Sequence, residues 1–434
     1  MKINIPESDK KRVVIVGGGF AGLKLALKLA RRPEYQIVLL DKNNYHQFQP
    51  LFYQVAMAGL EPSSISFPLR KAFSRKDDVY IRVTEVLSVD TANKQLGTSL
   101  GICNYDHLVL AIGADTNFFG NQKMAELAIP MKSVSEALFL RNRILSDFEK
   151  ALSITDYEER QGLMDIVVVG GGPTGVEVSG ALAEMKRYVF PKDYPELNTD
   201  EIDIYLMQGS GQLLEGMSEQ SSQKSLEFLT QLGVKVRLNT LVTDFDGQYV
   251  HTNNGETIRA RKVIWAAGVT GTKLKGMPDS SLTHGNRIKV NRFNQVEGVE
   301  EVYAIGDIAY MEEEKYPKGH PQVAQVAMQQ AQTLAKNFHR RHQGKEPLPF
   351  SYHDLGSMAT VGRNRAVVDL PRFKFQGAFA WLVWLFVHLF QILGVKNKVF
   401  VFINWVWNYF TYDQSLRLII RPRVPKSGDV EVEP

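Results

Sequence analysis

The chain contains a single cysteine, Cys103. One thiol excludes an internal disulfide, a Cys-x-x-Cys redox pair and a cysteine-built metal site, so electrons cannot pass through a dithiol within this subunit. Cys103 itself reads as a small buried filler, and no metal site is expected. A strong charge of either sign is also missing. The 51 Lys and Arg against 47 Asp and Glu leave a net charge of +4, too little for a nucleic-acid-binding surface. The opening segment, MKINIPESDKK, carries charge but no apolar stretch of the kind that precedes signal cleavage. The body of the protein is therefore expected in the cytoplasm. There is no low-complexity tract. What remains is a globular composition, 44% hydrophobic and 23% charged over 434 residues, enough for two or three domains with complete cores.

Two glycine fingerprints occur in this background, each closing an apolar run. The first is RVVIVGGGFAG, with Gly17, Gly19 and Gly22; the second is DIVVVGGGPTG, with Gly170, Gly172 and Gly175. Each pattern predicts a buried parallel strand, a tight turn and a helix start. The first glycine makes the turn and the second admits a pyrophosphate close to the backbone. The third lets helix and strand pack closely, and the helix N-terminus then faces the phosphate charge. Phe20 and Ala21 open the first helix, and Pro173 and Thr174 open the second. Two fingerprints about a domain apart imply two dinucleotides on one polypeptide. Hydride exchange between a nicotinamide and a flavin is the economical reason for that.

Apolar periodicity organises the rest. After the first fingerprint, FAGLKLALKLARR reads as a helix closed by Pro33. QIVLLD reads as the second strand, ending on Asp41, 24 residues after Gly17. An acidic group there suits the hydroxyl pair of a ribose; helix capping is the alternative. KNNYHQFQPLFYQVAMAGL reads as a loop, and Lys42 and Gln49 within it are assigned to the flavin site. DHLVLAIGA is a strand ending at Ala111 and Gly113. The second unit begins near Met164 and repeats the plan, with strand EIDIYLMQ ending on Gln208 and strand KVIWAAG ending at Ala267 and Gly268. The two halves read as copies of one layout.

Gln208 is informative because it is neutral. An acidic residue there would repel a 2′-phosphate, whereas glutamine keeps hydrogen bonding without the repulsion. This predicts use of NADH with some tolerance of NADPH. VYAIGD brings Gly306 and Asp307 to another strand end, where Asp307 suits a ribityl or pyrophosphate group or caps a helix. The long helix VAQVAMQQAQTLAKNFHRR follows, expected to begin near Pro321 and to aim its positive end at the flavin. Gln325 and Gln329 share one of its faces, and side-chain amides can hold a quinone carbonyl without adding charge, although Gln329 reads better as an exposed helix glutamine. Glu177 sits in the first turn of the second fingerprint helix. The helix dipole suffices to explain it, and proton handling is the alternative.

Strands are expected between Gly344 and Arg372. The tail then changes character. GAFAWLVWLFVHLFQILGV is uncharged over 19 residues, long enough to be considered as a membrane span. His388 and Gln391 interrupt it, and the following VFVFINWVWNYFTY is too short to cross. Trp381, Trp384, Trp405, Trp407, Tyr409 and Tyr412 are residues of a membrane interface, and Lys396, Lys398, Arg417, Arg421 and Arg423 suit anionic headgroups. Helices lying in one leaflet are the favoured reading; a spanning helix and a buried dimer interface are the alternatives.

Several segments together resemble the type II NADH dehydrogenases, single-subunit NADH:quinone oxidoreductases of respiratory membranes. They are VVIVGGGFAGL, YHQFQPLFYQVA, VVVGGGPTGVEVSGALAE, VIWAAGV, VYAIGD, VAQVAMQQ and the aromatic tail. The resemblance implies an α/β fold of two Rossmann-like dinucleotide-binding domains, a two-dinucleotide-binding flavoprotein, with a C-terminal membrane-associating helical region. The expected boundaries are 1–125 with 283–350 for the FAD domain, 126–282 for the NADH domain, and 351–434 for C-terminal strands and amphipathic helices.

The resemblance further implies non-covalent FAD, a quinone acceptor and no proton pumping. It places the family's Ala-Gln pair on Ala324 and Gln325, beside flavin and quinone. It places the family's glutamate on Glu177, near the nicotinamide. It implies a peripheral, monotopic protein on the cytoplasmic face of the cell membrane. Members are often homodimeric, but the sequence does not show a pairing surface. The rivals are a soluble NAD(P)H-dependent reductase of a ferredoxin-like protein, which has no use for an aromatic tail, and a non-enzymatic nucleotide-sensing flavoprotein.

Overall fold

The structure, a computed structural model, describes residues 2–74 and 76–420. Arg421, Arg423 and the end of the 351–434 region lie outside the described residues. Two five-stranded parallel sheets form the frame. The first runs in the spatial order Val302–Ala304, His107–Leu110, Lys11–Val16, Tyr35–Asp41, Val79–Val83. The second runs Ile129–Pro130, Val263–Trp265, Ile166–Val169, Ile204–Met207, Lys235–Arg237. Their central strands, RVVIV and IVVV, are buried on both faces, as continuous β-branched runs require when helices cover a parallel sheet. In both sheets the fingerprint strand is central and the strand ending on Asp41 or Gln208 lies beside it.

The fingerprint helices are Phe20–Leu29 and Pro173–Tyr188. The first stops short of the FAGLKLALKLARR pattern, because Arg31 and Arg32 turn out before Pro33. The strand Val302–Ala304, distant in sequence, completes the first sheet beside His107–Leu110. The long helix begins at Ala324, three residues after Pro321, and packs against the first fingerprint helix.

Three expectations need correction. The segment 42–60 is not a plain loop. It holds a short strand, Tyr45–Gln47, and a helix, Phe52–Ala56, and Phe48, Leu51, Phe52 and Val55 are core residues. Its aromatics point inward, which alternation of polar and apolar residues over so few positions does not reveal. Between Gly344 and Arg372 only Ser357–Thr360 and Ala366–Asp369 are strands; Lys374–Gln376 adds a third, antiparallel one. Finally, the strand ends at Gly113 and Gly268 do more than end. The segments they release, Ala114–Thr116 and Val269–Gly271, pair antiparallel and zip the two halves together.

The tail forms two helices, Ala378–Gln391 and Val395–Thr411. Among the described residues no helix is long and apolar enough to cross a membrane. One face is inward: Trp384, Ile392 and Val401 join the largest core cluster. Trp384 is therefore not an interface residue. It is fully buried, meeting Tyr53 and Trp405. The other face exposes Phe379, Leu382, Phe386, Phe390, Trp407 and Phe410. Arg417 is likewise not free for a headgroup, being paired with Asp193 and, at 3.1 Å, with Asp413.

Candidate active site

The two fingerprint turns are built on the same contacts. Gly17 has φ +103°, and a Cβ there would lie 2.3 Å from the Ala111 carbonyl oxygen; Gly170 has φ +110° and would meet the Ala266 oxygen at 2.4 Å. A Cβ on Gly22 would lie 1.8 Å from the Gly17 oxygen, and one on Gly175 would lie 1.8 Å from the Gly170 oxygen. Only glycine fits these four positions. Gly19 and Gly172, by contrast, face open space. That is where a phosphate could approach the backbone and the helix N-terminus behind it.

The first turn opens on a cleft of about 440 Å³, within the range of cofactor sites. Of the expected flavin residues, Gly17, Gly19, Phe20, Ala21, Asp41, Lys42, Gln49, Ala111, Gly113, Gly306 and Asp307 line it. Gly22 lies beneath the turn. Ala324 and Gln325 are not on the lining; their helix contributes Ala327, one turn further on.

Asp41 accepts from the backbone N–H of Gly18 and of Asn43, both at 2.6 Å. Burial pushes its carboxyl above the usual range, and these two donors pull it back. Asp307 is raised by burial against the attraction of Lys132 and Arg287. A cleft with phosphate-facing glycines, an acidic strand end and cations at Lys42 and Lys132 fits a dinucleotide.

Pattern reading missed several residues here. Gln330 is buried in the core and accepts from the Gly306 N–H at 2.7 Å, holding the turn that presents Asp307. His46 bonds the Gly18 carbonyl through Nδ1 at 2.9 Å and meets Phe20 edge-on. Lys132 comes from the other half of the chain. His46 sits within the YHQF motif, and Gln330 shares a run with Gln329, but only the fold assigns their partners.

In the second half, Gln208 accepts from the Gly171 N–H at 2.7 Å, as Asp41 does from Gly18. Pro173 and Thr174 are exposed at the helix start, and Ala267 and Gly268 are half-buried at the facing strand end. Glu177 is buried. Burial raises its carboxyl to about 8, while the Thr360 N–H draws it back. A polar chain runs from it to the tail. Tyr53 Oη lies 3.2 Å from Thr360 Oγ1, Gln54 Nε2 donates to Tyr53 Oη at 2.9 Å, and Trp405 Nε1 donates to Gln54 Oε1 at 2.7 Å. These residues edge a small cavity of about 100 Å³ between body and tail.

Gln325 is held by a nearby loop. Its Nε2 donates to the Gly356 carbonyl at 2.9 Å, and its Oε1 accepts from the Leu355 N–H at 3.1 Å. Gln329 clamps the same loop through both the N–H and the carbonyl of His353, so it is not a free surface glutamine. One N–H of Gln325 stays available for a ligand.

The family profile of the pyridine nucleotide-disulphide oxidoreductases matches residues 11–331, and that of the NDH2 C-terminal domain matches 354–412. The type II NADH:quinone oxidoreductase Ndh of Mycobacterium tuberculosis is 34% identical over 93% of this chain and 89% of its own length. The chain belongs to the type II NADH:quinone oxidoreductase family. A second M. tuberculosis member, NdhA, is 33% identical over 91% of this chain and 86% of its own length. Among solved structures, NDH2 from Plasmodium falciparum in complex with NADH superposes with a TM-score of 0.87 at 22% identity, covering 95% of this chain and 100% of that one. The sulfide:quinone oxidoreductase of Aquifex aeolicus shares the fold more loosely, with a TM-score of 0.69 at 19% identity over 95% and 96% of the two chains. The shared fold is the two-dinucleotide flavoprotein fold with a C-terminal helical region. This member, with its lone Cys103, works without the disulphide in the wider family's name.

Proposed function

We propose that this protein is a membrane-associated NADH:quinone oxidoreductase holding non-covalent FAD in the first-half cleft and binding NADH at the second fingerprint. The observation that carries the reading is the duplicated glycine cradle, joined by the Ala114–Thr116 and Val269–Gly271 ribbon. When bound, the flavin supplies the redox chemistry, taking a hydride from the nicotinamide and giving two electrons to a quinone. The protein supplies position and electrostatics. Asp41 orders the first turn and receives a ribose. Asp307 and Lys132 set the charge along the cleft, and the ribbon fixes the relation of the two halves so that reacting groups need no search.

Glu177 holds a proton at neutral pH because its carboxyl is desolvated. Tyr53 and Thr360 offer hydroxyls through which that proton can be replaced from the cavity under the tail. Gln325, oriented by Gly356 and Leu355, points its free N–H toward a quinone oxygen.

The tail lies in one leaflet on the cytoplasmic face. Its exposed Phe and Trp side chains enter the lipid, while Lys396 and Lys398 stay close to the helices, over the rings of Phe400 and Phe390. A quinone dissolved in the bilayer thus meets the protein where it enters. His388, half-buried and held neutral with Nδ1 bonded to the Trp384 carbonyl, adds no charge there. The test is direct. Purified protein should be yellow, bleach on mixing with NADH, and recover colour with a short-chain quinone. A colourless protein, or a flavin that NADH leaves oxidised, overturns the proposal.

A further inference from the structure

Gln208 directly follows strand Ile204–Met207, so the second half lacks the carboxylate that Asp41 provides in the first. Gln208 is also already committed. Its Oε1 accepts from the Gly171 N–H at 2.7 Å, and its Nε2 donates to Ser210 Oγ at 2.6 Å. The 2′- and 3′-hydroxyls of a ribose donate best to a carboxylate, and a neutral amide oxygen that already accepts one bond is a weaker acceptor for them.

A carboxylate reaches the same place by another route. Leu214, in left-handed backbone with φ 50°, donates its N–H to the Gly171 carbonyl at 2.8 Å. That bond folds the loop after the strand back onto the fingerprint turn and buries Leu213 there. Glu215 comes next, with Oε1 3.5 Å from Gln208 Nε2 and the side chain open to solvent. No Lys or Arg occurs between Gly209 and Gly216. Arg237, on the adjacent strand, is directed to Glu256 at 3.4 Å and to the ring of Tyr205.

We propose that Glu215 takes over the ribose-reading role of the missing strand-end acid. It accepts from the adenosine hydroxyls and repels a 2′-phosphate, which finds no cation to receive it. The inference rests on the NADH-binding reading of the second half. It also replaces the tolerance of NADPH expected from Gln208 alone with a preference for NADH.

Two substitutions test it, Glu215→Gln and Glu215→Lys, with flavin absorbance as the control for folding. The readout is kcat/KM for NADH and NADPH with one short-chain quinone. The NADH/NADPH ratio should fall by roughly tenfold in the first variant and further in the second, with NADPH use rising. The KM for quinone should not move. Calorimetric titration with 5′-AMP and with adenosine 2′,5′-bisphosphate gives a readout independent of turnover. Both variants should gain affinity for the bisphosphate relative to 5′-AMP. A ratio within twofold of the unsubstituted protein, together with unchanged relative affinities, overturns the assignment. If the unsubstituted protein does not oxidise NADH at all, the functional reading fails, and the titrations still decide what Glu215 recognises.

Discussion

The two halves of the chain solve one geometric problem with one set of backbone contacts and then part at their side chains. Gly17 and Gly170 approach a facing carbonyl equally closely, and Gly22 and Gly175 sit equally tight under their turns. Asp41 and Gln208 reach the same N–H of their respective turns at 2.6 and 2.7 Å. Yet the first is a half-buried carboxylate beside a large cleft and the second a neutral amide flanked by Glu215. At the fingerprint position that holds Glu177 in the second half, the first has Lys24. Backbone geometry leaves room for a phosphate at each turn. Only the side chains around it say which one, and whether it stays or exchanges.

Filling the cradles one at a time should have the largest effect. Gly22→Val should leave protein without flavin, because the added carbons collide with the Gly17 carbonyl and overpacking costs about 1–3 kcal/mol before any cofactor is lost. Gly175→Val should keep the flavin, and mixing with NADH should no longer bleach it. Absorbance of the purified proteins and stopped-flow mixing separate the two outcomes. Loss of flavin in both variants would mean that the halves are not independent.

The exposed face of the tail should respond next. Replacing Phe386, Phe390 and Phe410 by Asp removes apolar surface from the exposed face and spares Trp384, whose loss would open the core. Affinity for anionic vesicles should fall by at least roughly 1,000-fold, given about 1.5–3 kcal/mol for each of three large apolar side chains fully buried. Oxidation of NADH with a water-soluble quinone should persist. Co-sedimentation is the check, and undiminished binding would place the anchor elsewhere.

A smaller effect is expected at the long helix. Gln325→Leu should lower kcat/KM for quinone by roughly tenfold, the loss of about one hydrogen bond, with reduction of the flavin by NADH unchanged. Gln329→Leu, which loosens the same loop through His353, is the matched control. Equal losses in both would reassign Gln325 to loop support.

The smallest effect concerns protons. Glu177 binds its proton up to about pH 8 in the folded protein, against 4.5 ordinarily. Between those values the folded state holds more protons than the unfolded one, so this group makes stability fall as pH rises through that window. Denaturation midpoints at pH 5.5 and 8.5 should therefore differ less in Glu177→Gln than in the unsubstituted protein. An identical pH dependence would show that the carboxyl is solvated after all.

Much of this was legible in the chain. Both strand–turn–helix units, the strand ends at Asp41 and Gln208, the returning strand at Gly306 and an amphipathic tail all follow from periodicity and glycine spacing. Those signals are local and repeat with the period of the element that carries them. The polar cross-links were not legible. Gln330 to Gly306, His46 to Gly18, Tyr53 to Thr360 and Glu215 to Gln208 join residues whose pairing has no periodic signature. Trp384 and Trp405 look alike on a hydropathy reading, yet one is sealed in the core and the other donates to Gln54.

The pattern of residues determined that two equivalent glycine turns exist, because steric demands at single glycines are written one position at a time. Tertiary structure decided how the cradles face each other, which charges gather around each, and which tail aromatics point inward. Those outcomes depend on distances between segments remote in sequence, and hydrogen bonds and burial act over a few ångströms of space.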